Sequence, residues 1–205
     1  MYDALWAVLV AACDELGAVD WRWQSADAML GKARGVPERG AVEAGVGPNP
    51  TDRGKAGTKK SVLVGASGGP LSVVCAGANV HDCKLLEATL EAVILARPDP
   101  LLEPVQNLCM DKGYDNPTAE EALASHHYTG HIRRIGEEKR DPQGERRYPA
   151  GRWVVERTLA WLSRWRGILI RWEKKAENYL GTLKLACALL WFRRWARLVV
   201  TSEPR

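Results

Sequence analysis

Two short apolar runs, Val62-Leu63-Val64 and Leu71 to Ala76, flank a stretch of turn-forming residues from Gly65 to Pro70. β-Branched runs broken by Gly and Pro read as a hairpin. A lone hairpin has no face to bury, so the rest of the chain must extend it into a sheet and cover that sheet with helices. The flanking sequence supplies both. Tyr2 to Leu16 spaces Leu5, Leu9, Ala12 and Leu16 as a helix and stops at Gly17. Val19 to Leu30 alternates loosely, as a strand does, and Gly31 to Gly57 is irregular, rich in Gly, Pro and charge. After the hairpin, Asp82 opens a helix that carries Leu85, Leu86, Leu90 and Val93 and ends before Pro98. Val105 to Met110 is a short buried strand, Asn116 starts a helix reaching His126, and Tyr128 to Ile135 is a final strand. A charged loop, Gly136 to Arg147, leads to two long helices, about 151–165 and 177–197. The fold class expected from this order is α/β, a mixed sheet with helices on its faces.

Composition narrows the function classes. At 205 residues, 46% hydrophobic and 26% charged, the chain holds enough apolar material for one sizeable core. No apolar run approaches the ~20 residues that span a bilayer, so no membrane role is expected. Met1-Tyr2-Asp3 lacks the basic start of a secretory signal, and five scattered cysteines read as buried thiols of a reducing compartment, the cytoplasm. Charge is uneven: residues 1–110 carry a net −3 and residues 111–205 a net +7. A polyanion suits the second half, although a solvated helix face is the simpler alternative.

Three acids stand in positions where chemistry is plausible. Asp27 ends the first strand, and Asp111 ends the apolar run Asn107 to Met110 before Lys112-Gly113-Tyr114-Asp115. Glu156 sits among apolar neighbours in Trp153-Val154-Val155-Glu156-Arg157, which predicts partial burial. Carboxylates from three elements can hold two hard divalent ions, the arrangement that serves phosphodiester chemistry. Taken singly, each has a plainer reading: a turn or cap residue for either Asp, and a pairing with Arg152 one helical turn away for Glu156.

Five runs, in order along the chain, resemble a known family: Asp20-Trp21-Arg22-Trp23-Gln24-Ser25, Gly47 to Lys55, Gly77-Ala78-Asn79-Val80-His81-Asp82, Asp111-Lys112-Gly113-Tyr114-Asp115, and Trp153 to Thr158. They are similar to the transposases of bacterial insertion sequences, specifically the insertion-sequence-five family, from about Trp21 to Arg194. The resemblance implies an RNase H-like catalytic domain over 19–205, with its C-terminal helices over 151–200 and residues 1–18 as the remnant of an upstream segment. It implies a catalytic, metal-binding triad of Asp27, Asp111 and Glu156 with two Mg²⁺ (or Mn²⁺) ions. It further implies double-stranded DNA, both terminal inverted repeats and target, as substrate, a homodimer, and a place at the bacterial nucleoid. Two functions follow from it. One is metal-dependent cleavage at the element ends with strand transfer into target DNA; the alternative is a truncated copy that binds DNA or pairs with full-length copies without catalysing. The family's glutamate motif has an Arg four residues before the Glu, met by Arg152, and a Lys seven after it, where this chain has Ser163.

Basic residues supply candidate DNA contacts. Arg53, Lys55, Lys59 and Lys60 read as one Gly-containing basic loop, either a phosphate clamp or solvated charge. Arg133, Arg134, Arg152, Arg157 and Arg164 belong to an Arg-rich sector suited to bidentate phosphate contacts. The C-terminal tryptophans are expected to pack between the last two helices. Asp82 is expected to cap its helix, with a supporting place behind the metals as the other reading.

Overall fold

The computed structural model describes residues 1–36, 45–102, 105–132 and 152–202. In chain order the elements are α1 (Tyr2–Glu15), β1 (Trp23–Ala33), β2 (Gly47–Pro48), β3 (Ala56–Gly65), β4 (Pro70–Gly77), α2 (Cys83–Glu91), β5 (Gln106–Met110), α3 (Pro117–Ser125), β6 (Tyr128–Ile132), α4 (Arg152–Leu162), α5 (Arg166–Leu169), β7 (Ile170–Arg171) and α6 (Ala176–Ser202). β4, β3 and β1 form an antiparallel meander, and β5 and β6 continue the sheet in parallel from the other edge of β1. Two short strands finish it: β2 beside the start of β3 and β7 beside the end of β1. This is the mixed sheet with flanking helices expected from the sequence.

The register assigns the faces. Residues paired across strands share a face, so Asp27, Val62 and Val73 lie together, as do Met29, Lys60 and Cys75. That face carries α4 and α5: Ser163 Oγ donates to Met29 Sδ at 2.9 Å, and Lys60 Nζ donates to Ile168 O at 3.1 Å. The opposite face carries α2, through Lys59 paired with Asp82 and a 2.7 Å bond from Thr89 Oγ1 to Ser61 Oγ.

The β3–β4 turn ties the helices to the sheet. Indole Nε1 groups of Trp6 in α1 and Trp191 in α6 both donate to Pro70 O, at 3.2 and 2.6 Å. Arg157 of α4 and Arg194 of α6 both reach the Ser67 carbonyl, at 2.9 and 2.8 Å. No side chain fits at position 69, where a Cβ would stand 2.2 Å from the Trp191 ring. α1 packs along α6, burying Trp6, Val10 and Cys13 in the same core as the sheet, and Lys184 meets Asp3 at 2.6 Å.

Several expectations need correction. β1 runs on to Ala33 and β3 begins at Ala56, so the irregular stretch is shorter than Gly31 to Gly57 suggested. Lys59 and Lys60 therefore stand in a strand, 8% and 1% exposed, and not on a DNA-facing loop. α2 ends at Glu91 because the chain turns back to the sheet, where Ile94 N donates to Leu71 O at 2.9 Å. Asp82 makes no capping bond. Its carboxylate is drawn to Lys59 instead. Among the C-terminal tryptophans only Trp191 is fully buried; Trp153, Trp165 and Trp172 are 53%, 41% and 60% exposed, because the buried stripes of α4 and α6 are made by smaller residues.

Lys60 gives the fold a measurable pH dependence. Burial pushes its ammonium down to about 8 from the usual 10.5, with the Cys75 thiol opposing weakly. Between those values the unfolded chain holds the extra proton, so stability rises with pH across that window, by about 3 kcal/mol in all. The buried thiols of Cys13, Cys75, Cys109 and Cys187, all pushed up by burial, slope the other way, so the Lys60 contribution is read as a difference. In urea unfolding at pH 7.5, 8.5 and 9.5, Lys60→Met should be more stable than wild type at pH 7.5 and lose that advantage as pH rises. An equal slope in the variant would place the effect elsewhere.

Candidate active site

Strand register puts the two aspartates on one face of the sheet. β1 and β5 run parallel with Trp23 opposite Asn107, Gln24 opposite Leu108 and Ser25 opposite Cys109. Two residues further along both chains come Asp27 and Asp111, at matched positions on the face shared by Ser25 and Cys109. Each carboxylate is aimed by a backbone amide of its own segment: Ala28 N donates to Asp27 Oδ1 and Gly113 N to Asp111 Oδ1, both at 2.7 Å. β5 stops at Met110, and a single 3₁₀ turn, Lys112–Tyr114, carries the chain off the sheet with Asp111 as its cap. Any side chain at position 113 would crowd Asp111, since a Cβ there lies 2.9 Å from Oδ1.

Glu156 comes from α4. Val154, Val155, Thr158, Leu159 and Leu162 form the buried stripe, and Glu156 falls about 100° past Val155, on the margin. Its side chain is exposed, against the expectation of partial burial. The two flanks of α4 point in different directions along the sheet. Arg157 and Thr158 turn to the β3–β4 turn, where Thr158 Oγ1 donates to Gly68 O at 2.7 Å. Glu156 and Ser163, seven residues apart, share the other flank, and Ser163 touches Met29 of β1. Among the described residues no three His, Cys, Asp or Glu side chains converge closely enough to hold a metal ion. The two aspartates have the hard oxygen donors that suit Mg²⁺ or Mn²⁺, and Glu156 shares its flank of α4 with Ser163, which touches Met29 of β1.

A third aspartate and a phenol complete the surroundings. Asp82 pairs with Lys59, whose Nζ also donates to Val80 O at 2.6 Å. Tyr114 is fully buried. Burial first, then the negative charges of Asp82, Asp27 and Asp111, push its phenol well above the usual tyrosine range. Ser61 lies beside the Tyr114 hydroxyl, yet no contact of that hydroxyl reaches hydrogen-bond geometry. Tyr114 was not singled out from the sequence, although it stands within the Asp111 run; only its burial beneath the acids marks it.

The basic candidates separate into groups. Arg53 and Lys55 are exposed on a stiff loop, held by Asn49 N to Lys55 O at 2.8 Å, Gly54 N to Asn49 O at 2.9 Å, and Thr51 Oγ1 to Asn49 Oδ1 at 2.9 Å. Arg164 is also exposed. Arg157 is committed internally, stacked over the rings of Trp153 and Trp161 at 4.5 and 4.9 Å as well as bound to Ser67. Arg133 and Arg134 lie outside the described residues, as does the side chain of Arg152.

Comparison with known proteins gives the chain a family. Residues 19–191 match the family model described as the transposase DDE domain, a span that includes Asp27, Asp111 and Glu156. A Burkholderia cepacia protein, named as a candidate transposase for insertion sequence element IS402, is 36% identical over 147 residues, covering 70% of this chain and 67% of that protein. Among solved structures, the catalytic domain of Mos1 mariner transposase is similar at a TM-score of 0.40 and 12% identity, over 98% of this chain and 91% of that one. The Mos1 mariner paired end complex with Mn is similar at a TM-score of 0.36 and 13% identity, over 98% and 61%.

Asp82 serves Lys59 and not the start of α2, and substitutions separate the two roles. Asp82→Asn leaves a largely buried ammonium without its counter-charge and should lower unfolding stability by about 2 kcal/mol. Asp82→Ser, a good capping residue, should cost as much. A urea midpoint for the Ser variant equal to wild type would restore the capping role.

Proposed function

We propose, from the premise that this chain belongs to the transposase DDE domain family, that it cuts DNA at the ends of an insertion sequence and joins the freed 3′-hydroxyl to target DNA. The observation that supports this reading is the β1–β5 register, which, continued two residues beyond Ser25 and Cys109, matches Asp27 with Asp111 on the sheet face that α4 covers. Asp27 and Asp111 would hold one divalent cation between them, and Glu156, with one aspartate, a second. Mg²⁺ or Mn²⁺ bound there supplies activation of the attacking oxygen and relief of charge on the leaving oxygen.

The chain's own residues do the rest. The amides of Ala28 and Gly113 fix the directions of the two aspartates before substrate arrives, which lowers the cost of assembling the site. The flank of α4 bearing Glu156 is exposed, so a duplex can approach from that side. Of the candidate DNA contacts, Arg53, Lys55 and Arg164 are exposed and open to phosphates; such contacts fix orientation and carry no sequence information. Two such chains acting on paired ends, as a homodimer, complete the reading. A second reading, a copy that binds DNA without cutting it, is favoured by one observation: no three-carboxylate cluster forms among the described residues.

A nicking assay on duplex DNA bearing the element's own termini tests both. With Mg²⁺, the wild type should nick at the element boundary, while Asp111→Asn and Glu156→Gln should each fall below ~1% of that rate and keep wild-type DNA binding in a gel-shift titration. Cutting retained by Asp111→Asn would overturn the site; binding without cutting by the wild type would select the second reading.

A further inference from the structure

We infer that Trp165 and Trp172, with Arg164, Arg166 and Lys174 beside them, form a binding surface for single-stranded DNA, unpaired bases stacking on the two indoles while the cations meet the phosphates. The inference goes beyond the proposed chemistry. It concerns the α5–β7 segment and does not require that Asp27, Asp111 and Glu156 hold metal or cut DNA.

Three observations support it. First, both rings are open. Trp165 and Trp172 are exposed, and among the described residues neither stacks on a ring or a cation, whereas Trp153 and Trp161 are covered by Arg157 and Trp191 by Arg194. An indole with a bare face suits a partner that is itself flat and aromatic. Second, both are rigidly mounted. Trp165 O accepts from Ile168 N and Leu169 N, both at 2.9 Å, closing the single turn of α5. Ile168 is fully buried, and its carbonyl is held by Lys60 Nζ at 3.1 Å and Tyr179 Oη at 2.8 Å. Arg171 is fully buried too, and neighbouring residues of a strand point to opposite sides, which turns Trp172 outward. Arg34 N donates to Arg171 O at 2.8 Å, and only glycine fits at position 35 against the Trp172 carbonyl. A surface fixed in advance binds with little ordering cost. Third, the charge selects the partner. Residues 164–175 hold five Lys/Arg and one acid, Glu173. Arg164, Arg166 and Lys174 are exposed, and among the described residues no carboxylate pairs with them. A second copy of the chain brings the same positive charge and is repelled. A duplex offers phosphates but hides its base faces. A single strand offers both, and stacking of its bases on aromatic side chains is tolerant of sequence. One helical turn and three strand residues separate Trp165 from Trp172, at most about 16 Å, so one strand can cross both.

Fluorescence anisotropy of a labelled oligothymidylate, titrated with the full chain in EDTA, tests this without metal or turnover. Trp165→Ala and Trp172→Ala should each bind it about 10-fold more weakly than wild type, and Trp172→Phe, which keeps a ring, should stay within about 3-fold. Neither change at position 172 should alter the slope of log affinity against log salt, whereas Arg166→Ala should reduce that slope by about 0.7. A duplex of the same length should bind Trp172→Ala and wild type alike. Wild-type affinity for the oligothymidylate in both alanine variants overturns the inference, as does a wild type that does not bind the oligothymidylate. An equal loss on the duplex overturns it as well, since stacking on open bases is then not the cause. If Trp172→Ala keeps the oligothymidylate but loses binding to phosphatidylserine vesicles, the surface belongs to a membrane and the inference fails. Because metal is absent throughout, each of these failures leaves the cleavage reading to stand or fall on the nicking assay alone.

Discussion

The alignment of β1 against β5 is the constraint on which the rest of the site depends. Side chains alternate across a strand, so a slip of one residue would send Asp111 to the α2 face and leave Asp27 alone beneath α4. The register is held from both sides of the sheet. On one face Ser25 and Cys109 meet as side chains; on the other, Tyr128 Oη donates to Gln24 Oε1 at 2.7 Å, bridging from β6 across β5 to β1. Arg97 lies over the Tyr128 ring at 4.2 Å and donates to Gln106 Oε1 at 3.0 Å, closing the same corner. These are buried polar groups with partners, and such groups penalise any misalignment more sharply than apolar packing does.

Strand β3 buries two cations on opposite faces, with different solutions. Lys59 faces α2 and finds a carboxylate; Lys60 faces α5 and finds only a carbonyl. The first is a charge pair that fixes where α2 begins, in place of a helix cap. The second carries a standing penalty, offset by the strand pairing on both sides of β3 that leaves position 60 no other direction. Adjacent residues of one strand therefore meet different electrostatic conditions merely because they alternate.

Much of this was legible in the sequence. The hairpin, the strand at 106–110, the Asn116 cap and the long final helix all follow from local signals: turn residues, apolar runs, and a side chain that accepts from Ala119 N at 3.1 Å. Asp111 was legible because it closes an apolar run, whereas Asp27, expected at a strand end, lies in the middle of β1. What stayed hidden is tertiary. Lys59 and Lys60 look like loop charge until β3 extends back to Ala56, and Arg157 looks like a phosphate ligand until two tryptophans and the Ser67 carbonyl enclose it. Glu156 among apolar neighbours suggested burial, yet the 3.6-residue period puts it one step beyond the stripe. β7, two residues long, carries no periodic signal at all. The burial of Tyr114 has no signal in the sequence, because a tyrosine near an aspartate has no distinctive spacing.

β1 is supported unevenly along its length. On the β5 side, pairing ends at Ser25 and resumes with β7 only at Lys32, so among the described residues no strand adjoins the intervening stretch on that side. Exposed edges of this kind invite another chain to add a strand and begin aggregation. Here the vacancy is short, closed at either end, and has an aspartate at its mouth. An incoming peptide would have to desolvate that charge to gain only a few ladder bonds. The acid we propose as a metal ligand also makes this gap a poor place for a second copy to attach.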